Sequence, residues 1–241
     1  MRHAAAGFLC GIVFLFGSMG STLSSAETAS SPTMAPLTRY RESSAADEIS
    51  LARSAAPTSI STNAEVLTLG SHGYVTSIKG NNGFVCLVER SWAIGYSDPD
   101  FWNTKFRAPT CYNRAAARTV LPRYLKRTEW ALAGASTAEM MARTQAELSA
   151  NKFVLPETGA MAYMMSKQTH LSDTAGHWHP HLMFYLAHTE AAAWGANLPG
   201  SPIFADGSTI FEQKDTAEPV ITFFVPVPKW SDGTEETMET N

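Results

Sequence analysis

The chain has 241 residues, 44% hydrophobic and 17% charged, a balance that places it among globular rather than disordered proteins. Its 18 lysines and arginines stand against 22 acids, for a net charge of −4. No basic stripe breaks that acidic balance. This excludes sequence-independent nucleic-acid binding, which needs clustered cations to displace counterions from phosphates.

The first 26 residues read as an export address. Arg2 and His3 make a short polar start, Ala4 to Met19 is apolar but dotted with Gly7, Gly11 and Gly17, and Ser24, Ser25 and Ala26 offer a small-residue cleavage site. A membrane span needs about 20 strongly apolar residues, more than this run supplies. Cys10 follows Leu9 inside the apolar run rather than closing it, a pattern unlike a lipidated cysteine. Cleavage after Ala26 leaves 215 residues, enough for one domain with a sizeable core. Losing Arg2 takes the net charge to −5. The expectation is an exported chain, periplasmic or secreted, with no transmembrane segment after cleavage. In an oxidising compartment the two remaining cysteines, Cys86 and Cys111, are expected to form a structural disulfide, since they form no CxxC motif.

Residues 27–43 are rich in Ser, Thr, Ala and Pro and have no period, so they are expected as a flexible leader to a single domain over 44–234. Ser44 with Asp47 marks a helix start, Ile49, Leu51, Ala52 and Ala55 give it an apolar face, and Pro57 stops it. Three short β-prone runs follow: Val66 to Leu69, Tyr74 to Ile78 and Phe84 to Val88. Glycine and asparagine turns separate them, and they read as an antiparallel meander with Cys86 on its third strand. Trp92 to Pro109 reads as a loop. Asn113 can cap a helix from Arg114 to Leu121. Pro122 can open another, from Arg123 to Ala133, which Gly134 ends. Ser136 and Glu139 have capping-box spacing for a helix reaching about Ala150. Ala160 to Ser166, His177 to Leu186 and Val220 to Val227 read as strands, and residues 235–241 as an acidic disordered tail. The pattern predicts an α+β fold: a mostly antiparallel sheet with strands from both ends of the chain, and helices clustered in the middle.

His177, Trp178, His179, Pro180 and His181 put three imidazoles into five residues, and five of the seven histidines fall between His170 and His188. Histidine is the commonest metal ligand and the side chain that moves protons near neutral pH, so chemistry is sought here first. On a strand, His177, His179, His181, Met183 and Tyr185 share one face, and Trp178, Pro180, Leu182, Phe184 and Leu186 the other. The second, apolar set is expected to face the core. Neighbouring histidines then sit about 6.6 Å apart, close enough to converge on one ion at about 2.1 Å each, whereas His177 and His181, about 13 Å apart, do not share one easily. A metal site here is therefore an adjacent pair, His177 with His179 or His179 with His181, completed by a residue such as His170, His188 or Glu190. A divalent transition metal such as zinc suits these ligands. The plainer alternative is a hydrogen-bonded polar sheet face, and Pro180 marks an edge or a bulge.

Other pattern matches are incomplete. No glutamate follows the His-x-His pair at cupin spacing, and HExxH is absent. Leu155 to Gly159 spells LPETG, the sortase signal, but 82 ordinary residues follow it, so it reads as a loop. Ser149 and Lys152 fit SxxK without its partner motifs. Gly195 to Pro202 is either a fixed wall beside a pocket or an ordered turn. Trp178, Trp194 and Trp230 are either cleft or core aromatics.

Three segments together, Asn82 to Val88, His177 to Phe184 and Gly195 to Pro202, resemble a family of uncharacterised exported bacterial proteins, over about Ser44 to Gly233. The resemblance implies export and a single domain, and attaches no activity to any residue. Two functional readings follow. One is a non-catalytic envelope domain that binds a small molecule or protein. The other is a metal-dependent or histidine-assisted enzyme using His177, His179 and His181. The absence of a complete motif favours the first.

Overall fold

The computed structural model describes residues 33–173, 178–187, 191–205 and 218–237, all within one compact unit. The expected signal peptide, His177, His188 and Glu190 lie outside the described residues. Among those described, no helix is long and apolar enough to cross a membrane.

Local sequence sets the helices where expected. In α1 (Ala45–Arg53) the Ser44 hydroxyl accepts the Asp47 amide at 3.1 Å. A single turn, α2 (Thr58–Ser61), follows Pro57. In α3 (Arg114–Thr119) Asn113 Oδ1 takes the Ala116 amide, and α4 (Leu121–Leu132) carries Pro122 in its first turn. The capping box of α5 (Thr137–Ser149) is complete, with Ser136 and Glu139 each accepting the other's amide. Three helices lie mid-chain, but α1 and α2 precede the sheet, so the expected clustering holds only in part.

The strands are β1 (Glu65–Leu69), β2 (Tyr74–Ile78), β3 (Val85–Glu89), β4 (Ala108–Tyr112), β5 (Met161–Met164), β6 (His181–Ala187), β7 (Phe204–Ala205) and β8 (Val220–Pro226). They form one mostly antiparallel sheet in the order β2-β1-β3-β4-β5-β6-β8-β7. The expected meander is corrected at its start: β1 and β2 form a hairpin, but β3 lies on the other side of β1 and runs parallel to it. Gly80 allows this crossing. The chain passes so close beneath β1 that a Cβ at Gly80 would lie 2.1 Å from the Glu65 amide, and Asn81 N–H bonds Asn63 O as it passes. β4 is a second correction, because the supposed loop ends in a fully buried strand whose Cys111 pairs with Cys86 of β3 in register and through a disulfide.

Both faces of the sheet are covered. Helix α1 packs on β1, β3 and β4 over the disulfide, with Leu51, Ala52 and Ala55 meeting Val66, Val88 and Cys111. The opposite face carries the main core, where Tyr124, Trp130 and Ala131 of α4 join Leu87, Tyr112, Met183 and Tyr185. Packing begins before Ser44: Tyr40 is fully buried against Trp92 and its hydroxyl donates to Trp102 O at 2.9 Å. At the other end Glu235 bridges to Lys229, and the Glu236 amide bonds Pro228 O at 2.8 Å. Tyr40 and Glu236 are therefore both held against the rest of the described chain.

Candidate functional site

Strand β6 begins at His181, so Trp178, His179 and Pro180 lie on its approach rather than within it. The expected facing is reversed. His181, Met183 and Tyr185 are buried, Met183 and Tyr185 in the main core, whereas Leu182, Phe184 and Leu186 are half-buried on the other face. The reversal follows from a sheet covered on both sides, which leaves no face for a row of solvated imidazoles.

His181 is 3% exposed, between the rings of Trp178 and Phe224 at centroid distances of 5.6 and 5.7 Å. Its Nδ1 lies 2.7 Å from Trp178 Nε1 and 2.8 Å from His179 O. The indole needs a lone pair at that nitrogen and the carbonyl needs a proton, so one contact is made at a time. Both tie the ring to its own approach loop. Burial, helped by the charge of His179 and opposed by the bond to the His179 carbonyl, holds the imidazole pKa down at about 4. At neutral pH the ring is uncharged.

His179 has the opposite character. Its side chain is 52% exposed, while the carboxylate it meets, Glu236 Oε1 at 3.0 Å from Nδ1, belongs to a side chain only 5% exposed. The C-terminal segment makes this pairing: Val227 N–H bonds Pro180 O at 2.9 Å, and the chain turns back through the Lys229–Glu235 bridge to bring Glu236 under the imidazole. A carboxylate only accepts, so Nδ1 carries a proton in this contact and Nε2 is the ring nitrogen turned away from Glu236. Glu236 carries no sequence motif. It stands 57 positions from its partner, in a segment that reads as tail.

The remaining candidates are occupied differently. His170 pairs through Nε2 with Asp173 at 3.1 Å, and its backbone exchanges two 2.8 Å hydrogen bonds with Arg107. Among the described residues no three His, Cys, Asp or Glu side chains come together as metal ligands. Of the candidate set His177, His179 and His181, the two described members do separate jobs, one in the core and one on Glu236. Ser149 donates its hydroxyl to Gln145 O, and Glu157 of the LPETG loop makes two hydrogen bonds with Arg118. Trp230 is buried, Trp178 half-buried and Trp194 exposed, so these three indoles do not share one environment. The described surface has a groove of about 250 Å³ between Glu65, Phe84 and Arg114, and a cleft of about 200 Å³ over Glu48. Neither involves a histidine.

A buried polar seam under α4 escaped the sequence reading. Glu48 of α1 takes Arg90 Nη2 at 2.9 Å and the Leu69 amide at 3.0 Å, both at Oε1. Tyr74 gives its proton to Val88 O at 2.6 Å, so in its 2.9 Å contact with Tyr124 the Tyr124 hydroxyl is the donor. That hydroxyl also accepts the Arg90 amide. Beside them the Tyr112 hydroxyl donates to Glu89. Burial pushes the Glu89 carboxyl up to about 7, against the hydrogen bonds from Tyr112 and Thr110 and the charge of Arg127. The only signal for this seam was a Glu-Arg pair closing an apolar strand.

Compared with known proteins, the chain matches no family model, no curated protein and no solved structure.

Proposed function

We propose that this chain is an exported cell-envelope domain that binds a small molecule or a protein segment, with His179 as its contact group. The observation that carries this reading is the half-exposed imidazole set in one orientation by a buried carboxylate. A polar group fixed before its partner arrives loses little entropy on binding, and the Glu236 contact holds this imidazole in one orientation. Trp178, on the same approach loop, supplies half-buried aromatic surface beside it. Export is part of the same proposal, and the disulfide and the absence of a membrane-length helix among the described residues fit it. Mass spectrometry of the protein from a periplasmic or culture fraction is expected to find a chain beginning at Glu27; an uncleaved cytoplasmic chain would refute export.

A second reading is favoured by the same dyad: a carboxylate on Nδ1 is also how a histidine is prepared to act as a general base through Nε2. One experiment separates the two. Fragments bearing amine, carboxylate, phosphate and sugar groups are screened against the cleaved chain by histidine and tryptophan side-chain NMR, and each hit is recovered for mass analysis. Binding predicts hits that shift His179, vanish in His179→Ala and are recovered unchanged. A hit recovered as product establishes the enzymatic reading instead. Hits that leave His179 undisturbed, or no hits, overturn the assignment of the site.

A further inference from the structure

We propose that residues 191–205 form a membrane-contact loop that rests Trp194 and Leu198 in the interfacial region of a lipid bilayer. This surface is separate from His179 and stands whether or not that site binds a ligand.

The sequence from Ala191 to Ala205, AAAWGANLPGSPIFA, contains no ionisable side chain, in a chain whose net charge is −4. Its outer surface is mostly apolar. Ala192, Ala193, Trp194, Leu198, Pro199 and Pro202 are exposed, Trp194 at 54% and Leu198 at 49%, and Asn197 is the exposed polar side chain among them. An indole half in water is not a core side chain. Among the described residues its ring packs on Phe223, with ring centroids 5.6 Å apart, while the cluster beneath the loop is closed by Ala196, Ala205, Ile221 and Phe223.

The loop is built to hold this surface still. Asn197 Oδ1 accepts the Ala205 amide at 3.0 Å while its Nδ2 donates to Ala205 O, and its own amide bonds Ile203 O at 3.0 Å. Asn197 holds φ at +62° and its neighbours Gly195 and Gly200 at +72° and +76°, so the chain turns tightly around that clamp. Displaying a tryptophan and a leucine on a braced loop puts the cost of ordering into folding rather than into contact.

The chemistry of the patch chooses its occupant. Within 191–205 a charged partner finds no side chain to pair with, and the Asn197 amide, the main polar side chain available to a sugar, is hydrogen-bonded to the loop itself. The interface of a bilayer suits an apolar tip with one N–H donor, which is why tryptophan concentrates there. With no cation in the loop and an acidic chain behind it, the surface should prefer zwitterionic to anionic lipid.

The test uses the full mature chain with phosphatidylcholine vesicles. Co-sedimentation is measured for the wild type and for Trp194→Ser with Leu198→Ser. Both positions are exposed, and an unchanged thermal melt confirms folding. Vesicles with brominated acyl chains report which indole is quenched. The proposal expects the wild type to partition, about 0.5 M sodium chloride to leave partitioning unchanged, and the double variant to lose at least about tenfold in affinity together with the quenching. It is overturned if the wild type does not partition, if the variant partitions equally, or if partitioning requires anionic lipid and fails in salt. It is also overturned if ultracentrifugation shows a dimer of the wild type that the variant abolishes, since the patch then belongs to a second copy of the chain.

Discussion

Glu89→Gln tests the electrostatics of the seam directly. The Glu89 carboxyl is buried beside Tyr112 and its pKa stands at about 7 rather than the ordinary 4.5. Below pH 4.5 the folded and unfolded chains both hold its proton, and burial of the acid costs nothing extra. As pH rises towards 7 the unfolded chain releases the proton and the folded chain keeps it, so stability is lost across that window and levels off above it. A rise of about 2.5 pH units at 1.36 kcal/mol each makes the loss about 3 kcal/mol. Glutamine keeps the shape and an oxygen for the Tyr112 hydroxyl but does not titrate. Urea unfolding of both chains at pH 4.5, 6, 7 and 8.5 should give near-equal stabilities at the lowest pH. By pH 8.5 the variant should be ahead by up to about 3 kcal/mol, because every other group titrates alike in the two proteins. A difference that does not change with pH, or that grows in favour of the wild type, refutes a neutral buried Glu89.

His181 behaves with the opposite sign: its pKa is lowered from 6.5 to about 4, so about 3 kcal/mol present above pH 6.5 should drain away as pH falls through 4. Imidazole NMR should find this ring still neutral at pH 5, and a midpoint near 6.5 would contradict its burial. Replacing Cys86 and Cys111 by alanine should cost about 3.5 kcal/mol in urea unfolding, from the loop of 25 positions they close. Equal midpoints for the two proteins would assign the bridge no stabilising role. Arg90→Met strands Glu48 in the core and should cost about 3–5 kcal/mol, part of which Glu48→Gln in the same chain restores. If the single variant unfolds like the wild type, the ion pair is not what holds α1 to the sheet.

What the sequence made legible was mostly what single residues decide. Ser44, Asn113 and the Ser136–Glu139 box each satisfy an amide within three positions, so a helix start can be read without knowing the fold. The disulfide needed only the count of cysteines and the expectation of an oxidising compartment. Strand β4 was hidden because Ala108 and Pro109 open it and its neighbours on both sides bury every residue, which leaves no alternation to see. The parallel placement of β3 depended on Gly80 slipping under β1, a contact with no local pattern.

The histidine segment failed in a more instructive way. Period-two alternation correctly put His181, Met183 and Tyr185 on one side, but choosing which side is core assumes that one face of the sheet is wet. Here a satellite cluster under the Trp194 loop takes Phe184 and Leu186, and the main core with its helices takes Met183 and Tyr185 from the face with the imidazole. Burying His181 is tolerable because the ring stays neutral and its Nδ1 has a hydrogen-bond partner either way. His179 lies two residues before the strand begins, where its side chain stays half-exposed, and it gains its orientation from a carboxylate no spacing rule would find. Imidazole density therefore located the right segment, while the division between a structural and an exposed histidine came from layers and from a returning C-terminal segment, both tertiary facts.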